Sequence, residues 1–252
     1  MSELFMLLDG GALTSVEIDS LEASDAAATW IYGDLADPSA RRMGPVCLPA
    51  DSLAGNRIAF ALMRSLERHW AISWIQAPTQ HALLEHLVNI RHVLTADGQR
   101  YFFRFADTRC VAAMMRAMTP ARVRLLIGPI HRWDYLTRCG VRNSWRGSLD
   151  ESLNGWMTLR LTHPELAVLL DSSWPDQLLA STLEAEPELA HHGSIEERHA
   201  WFTQLCNLMR SKRIESYPDQ LVLAGRVLES RGAILEAEAF ANAVESLRPS
   251  TD

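Results

Sequence analysis

At 252 residues, 48% hydrophobic and 22% charged, the chain has room for one large domain or two lobes, and its composition is that of a folded globular protein rather than a disordered one. No stretch approaches the roughly 18 to 20 uninterrupted apolar residues of a membrane-spanning helix, and Met1 to Asp9 lacks the basic and apolar regions of a secretion signal, so a cytoplasmic protein without membrane insertion is expected. Cys47, Cys110, Cys139 and Cys206 stand far apart with no CxxC pair, which fits neither a zinc knuckle nor a small disulfide scaffold, and reduced, mostly buried thiols are expected.

In chain order, Glu3 to Leu8 reads as a strand ending at the turn Asp9-Gly10-Gly11, after which Thr14 and Glu17 form a capping box that opens a helix. Thr29 to Tyr32 and Val46 to Leu48 are short apolar segments suited to buried strands. From Asp51 to about Arg68, Ile58, Leu62 and Leu66 recur every fourth position and make one helical stripe. Ala71 to Gln76 reads as a strand, Pro78-Thr79 starts a helix through Leu87, and Arg91 to Thr95, Asp97-Gly98 and Arg100 to Phe105 spell a hairpin. A helix is expected over Asp107 to Met118, a break at Gly128-Pro129, and strands over Ile130 to Tyr135 and Trp156 to Leu161. Helical periodicity then runs through Pro164 to Leu189, Ser194 to Met209, Pro218 to Ser230 and Leu235 to Leu247, with a second capping box at Ser194 and Glu197 and a stop at Gly232. The fold class expected is α+β: an N-terminal lobe over residues 1–146 with a mixed sheet flanked by helices, then a smaller all-helical lobe over 147–252.

The net charge of −7 is unevenly placed, about −6 over residues 1–90, +8 over 91–146 and −9 over 147–252. The arginine-rich middle has two readings: a face for an acidic protein, an anionic ligand or a phosphate backbone, or internal pairing with the acidic flanks. Nucleic acid fits less well, because Tyr101, Phe102, Phe103, Phe105, Trp133 and Tyr135 alternate with polar residues as buried strands do, not as stacking platforms.

Signatures of chemistry are missing. Asp9-Gly10-Gly11 lacks the spacing of a phosphate-binding loop; His191, His192 and His199 have no HExxH or carboxylate-backed pattern; no GxSxG elbow is present, and no cysteine sits in a nucleophile signature. Neither an enzyme, nor a metal site, nor a cofactor is expected. The constellation that stands out is Arg104-Phe105-Ala106-Asp107-Thr108-Arg109, where Asp107 can cap a helix and pair with Arg104 and Arg109. Partner-binding candidates are Arg104, Asp107, Arg109, Trp133, Arg91 and Arg132.

The ordered motifs Leu7-Leu8-Asp9-Gly10-Gly11-Ala12, Gly44-Pro45, His86-Leu87, Asp97-Gly98, Phe103-Arg104-Phe105 with Asp107, and Gly128-Pro129-Ile130 with Trp133 resemble the adaptor chaperones of bacterial type VI secretion. The pattern departs from that family at Ala106 and Thr108, where an aromatic residue and a proline are common. The resemblance implies a cytoplasmic protein without enzymatic activity that binds a toxic effector and helps load it onto the VgrG spike.

Overall fold

The run Leu4-Phe5-Met6-Leu7-Leu8 has no polar member, so a strand built from it must be covered on both faces. It forms β1, Glu3–Asp9, near the middle of a six-stranded antiparallel sheet in the computed structural model, which describes residues 2–23, 28–65, 67–137, 140–147 and 159–247. The other strands are β2 (Thr29–Trp30), β3 (Pro45–Pro49), β4 (Ile72–Ala77), β7 (Arg132–Leu136) and β8 (Arg142–Arg146), in the order β2-β3-β1-β4-β7-β8. The register sets Leu7 opposite Cys47 on β3 and Ser73 on β4, and Ile75 opposite Trp133. A smaller sheet takes β5 (His92–Leu94), β6 (Arg100–Phe102) and β9 (Leu159–Arg160), with β5 antiparallel to β6 and parallel to β9.

Alternation along β1 divides the core. Phe5 and Leu7 join the cluster that includes Leu87, Val111, Met114 and Trp133, supplied in part by the helices α4 (Gln80–Ile90) and α5 (Thr108–Ala117). Met6 and Leu8 join Leu21, Leu48, Ile58 and Leu62, beneath α1 (Ser15–Ala23) and α3 (Leu53–Arg64). Each fully buried Leu or Phe contributes about 1.5–3 kcal/mol against exposure. Helix α2 (Pro38–Arg42) and helix α6 (Pro120–Ile127) complete the helices before β7.

The α+β class, the Asp97-Gly98 hairpin and both capping boxes are present, with Gly98 in the left-handed region at φ 84°. Several expected elements differ. The second strand ends at Trp30; α3 ends at Arg64, with Leu66 outside the described residues; and the hairpin's outer strand stops at Phe102. Helix α6 and strand β8 were not expected. Of the strand expected over Trp156 to Leu161, Leu159 and Arg160 form β9, while Trp156 to Thr158 lie outside the described residues.

The chain divides into two units, residues 1–169 and 170–252. Helix α7 (His163–Ala185) begins in the first, and a box of Thr162 and Glu165 closes its N-terminus. The second unit holds the rest of α7, then α8 (Ile195–Ser211), α9 (Tyr217–Glu229) and α10 (Ala237–Glu245), packed around Leu178, Phe202, Leu205, Leu223, Val227 and Phe240. Gly232, at φ 82°, turns the chain after α9, where its missing side chain also makes room for Trp201.

One pair of motifs separated in sequence meets in the first unit. Gly128 ends α6 at φ 54°, and a Cβ there would overlap the ring of His86 on α4. The His86 Nε2–H donates to the Leu126 carbonyl at 2.8 Å, which fixes a proton on Nε2. Burial pushes the His86 pKa below its ordinary 6.5. The unfolded chain therefore takes up this proton first as pH falls, and stability drops from pH 6.5 down to the folded-state pKa. Relative to wild type, His86→Gln should flatten the stability profile in that window, by up to about 1.4 kcal/mol per pH unit, in urea titrations between pH 7.5 and 5.

Candidate functional site

The segment Arg104 to Arg109 links the hairpin to α5, and its charges are arranged around two buried carboxylates. Asp107 caps α5 by accepting the Arg109 backbone N–H at 3.0 Å, and the Arg109 side chain donates to both Asp107 oxygens at 2.9 and 2.8 Å. The Arg109 guanidinium lies 3.6 Å from the centre of the Trp70 ring, so packing as well as charge fixes it. Arg104 donates from Nη2 to Asp9 Oδ2 at 2.9 Å and stands 3.6 Å from Asp107 Oδ2, so it bridges the two acids.

Asp9 sits where β1 ends, and its other oxygen accepts the Gly11 N–H at 3.0 Å. Burial raises its pKa, an effect that Arg104 opposes and the nearby Asp107 charge reinforces. For Arg104 burial works against the charge, but the Asp9 and Asp107 carboxylates outweigh it and hold the pKa above its usual value. The turn after Asp9 needs glycine for space: a Cβ on Gly10 would overlap the carbonyl oxygens of Gly44 and Arg42. The Gly10 N–H also donates to the Gly44 carbonyl at 3.2 Å, closing the turn onto the start of β3.

Beside this charged centre opens a cleft of about 410 Å³. Asp9, Gly11, Arg104 and Ala106 line it together with Tyr32, Leu35, Ala40, Met43, Pro45 and Phe102. Its lining is mostly apolar, with polar side chains from Asp9, Tyr32 and Arg104, which suits an apolar group carrying a polar tip. The exposed Met43 and Phe102 belong to its lining, and the Phe102 ring lies 4.8 Å from that of Tyr32. Burial, helped by the Asp9 charge, pushes the Tyr32 phenol up to about 12, so it stays protonated and able to donate at neutral pH.

Of the residues singled out in the sequence, the structure brings Arg104, Asp107 and Arg109 into one cluster. The others lie apart from it. Arg91 is tied to both oxygens of Asp34, at 2.6 and 2.7 Å, and Arg132 donates to Asp134 at 2.8 Å. Trp133 is wholly buried, with its ring N–H on Ser73 Oγ at 2.9 Å, so it serves the core and offers no surface anchor. The reverse holds for Tyr101 and Phe102, expected to be buried: each is 49% exposed, because β6 is an edge strand. Phe103 and Phe105 point inward as expected.

Internal pairing accounts for much of the arginine-rich segment. Among the described residues, Arg91 reaches Asp34 and Arg104 reaches Asp9 in the acidic N-terminal part, and Arg122 reaches Glu165 beyond the segment. Arg109 pairs with Asp107, and Arg132 and Arg142 share Asp134. No local pattern marks Tyr32, Leu35 or Met43 as cleft residues. The available signal was Asp9 itself, an acid at the end of an unbroken apolar strand, which requires a cation from elsewhere in the chain.

Among the described residues no group of three or more His, Cys, Asp and Glu side chains is placed to hold a metal ion, and His199 instead contacts Asp176 at 3.2 Å. None of the helices described is long and apolar enough to cross a membrane. Cys47, Cys110 and Cys206 are free thiols, and burial pushes each pKa up to about 12.

A family model described as Domain of unknown function (DUF4123) matches residues 4–125. The matched segment contains every residue lining the cleft, along with Asp107 and Arg109, whereas Arg132 and Trp133 fall outside it. Comparison with curated proteins and with solved structures returned no match.

Proposed function

We propose that the chain is a non-enzymatic adaptor that binds a toxic effector in the bacterial cytoplasm and assists its loading onto the VgrG spike of a type VI secretion system. The observation that carries this reading is the family match over residues 4–125, since that family is associated with type VI secretion effector adaptors. The cleft within the same segment supports it: a segment of the effector places an apolar side chain between Met43 and Phe102, with the Tyr32 hydroxyl and Arg104 meeting its polar end. The ion pairs made by the arginines of residues 91–146 weigh against the alternative of an anionic or nucleic-acid ligand, because they neutralise charge that such a ligand would need.

Tagged chain expressed in a host with an active type VI system should co-purify with a toxin or a spike protein. Met43→Glu, which puts a charge on the exposed apolar lip of the cleft, should reduce that recovery by roughly tenfold while leaving a cooperative melt, since Met43 is 61% exposed and surface substitutions cost about 0.5 kcal/mol or less. Recovery of neither partner by wild type, or equal recovery by the folded variant, counts against the reading.

A further inference from the structure

Helix α3 carries apolar residues on two opposite faces. Ile58, Ala59 and Leu62 are buried in the cluster that includes Met6 and Leu48, and Gly55 lets the helix approach those two side chains closely. On the other side Leu53, Phe60 and Met63 are 81%, 57% and 43% exposed. At about 100° per residue, Leu53, Arg57, Phe60 and Arg64 fall in a single file along the helix, with Met63 beside them.

Charge on this face has one sign. Helix α3 contains no acidic residue, and among the described residues neither Arg57 nor Arg64 makes an ion pair. The Arg64 guanidinium lies over the Phe60 ring at 5.4 Å, which extends the apolar stripe and leaves its charge unneutralised. The acids of neighbouring α1 are engaged elsewhere, Glu17 with Arg68, and Asp19 and Glu22 with Arg42.

We infer that the outward face of α3 docks an acidic amphipathic helix of a partner protein, whose apolar residues meet Leu53, Phe60 and Met63 while flanking Glu or Asp side chains reach Arg57 and Arg64. The complementary charge selects this occupant. A second copy packed through the same face would set arginines against arginines, which is repulsive. A lipid surface fits less well, because the opposite side of α3 is committed to the core and the helix cannot submerge. The inference stands apart from the adaptor reading, because its test uses a synthetic peptide rather than an effector.

The test uses the full chain and two labelled peptides of about 20 residues, long enough to form a helix, with leucine at the a and d positions of a heptad and either glutamate or lysine on the flanks. Fluorescence anisotropy at low salt should show the glutamate peptide binding roughly tenfold more tightly than the lysine one. The double variant Arg57→Glu, Arg64→Glu should reverse the preference, and Phe60→Ser should weaken binding of the glutamate peptide without lowering the melting temperature. Binding of neither peptide, or a preference that survives the charge reversal, overturns the inference. So does finding that Phe60→Ser abolishes self-association, or attachment to phosphatidylserine vesicles, in a chain that ignores both peptides.

Discussion

Asp107→Ala should destabilise the first unit by about 3–4 kcal/mol, read as a shift in urea midpoint at unchanged slope. The substitution removes the α5 cap, worth about 1 kcal/mol, and leaves Arg109 without its bidentate carboxylate. Both arginines at the junction retain some access to water, which keeps the loss below that of a fully buried pair. Asp107→Asn retains a side-chain oxygen for the cap but no charge, and its loss should be about half as large. Equal losses for the two variants would show that pairing with arginine, rather than capping, is what Asp107 contributes.

Gly10→Ala is expected to cost about 3 kcal/mol, the upper end of the overpacking range, and to disrupt the cleft as well. The added methyl meets backbone oxygens of Arg42 and Gly44, which cannot rotate aside as a side chain could, so the turn after β1 must separate from the start of β3. Pro45 and Met43 line the cleft immediately on either side of Gly44, so their positions move with it. Thermal melts should show the lost stability, and loss of the Gly10 to Gly44 hydrogen bond should appear as faster exchange of the Gly10 amide. Unchanged exchange and stability would mean that the turn is looser than its packing indicates.

Features coded by neighbouring residues were legible in the sequence. The boxes Thr14–Glu17 and Ser194–Glu197, the Asp97-Gly98 hairpin and the Asp107 cap each depend on residues within a few positions of one another. Strand β8 was illegible because Arg142 to Arg146 is largely polar, as suits an edge strand paired only with β7. Helix α6 does carry a local signal, Thr119 followed by proline at the first turn. The aromatics of the hairpin could not be sorted by alternation alone: Phe102 turns to the cleft and Phe103 to the core, a distinction made by what packs around them.

The site was half legible for the same reason. Asp107 and Arg109 are two residues apart, and their pairing could be foreseen. Arg104 and Asp9 are joined only when the hairpin is laid beside the end of β1, and no local rule connects them. Trp133 carries two readings in the sequence, a buried strand aromatic and a partner-binding candidate, and the structure bears out the first, with Ser73 on the adjacent β4 satisfying its ring N–H inside the sheet.

The most direct test of the adaptor account is site-specific photocrosslinking in a host with an active type VI system. A photoreactive phenylalanine analogue would replace Phe102 in the cleft lining or, as a control, the exposed Val141 outside it. The account predicts a crosslink from position 102 to a toxin effector, absent from position 141 and lost when Met43→Glu is added. A crosslink of equal yield from both positions, or one from position 102 that persists with that charge in the cleft, would contradict it.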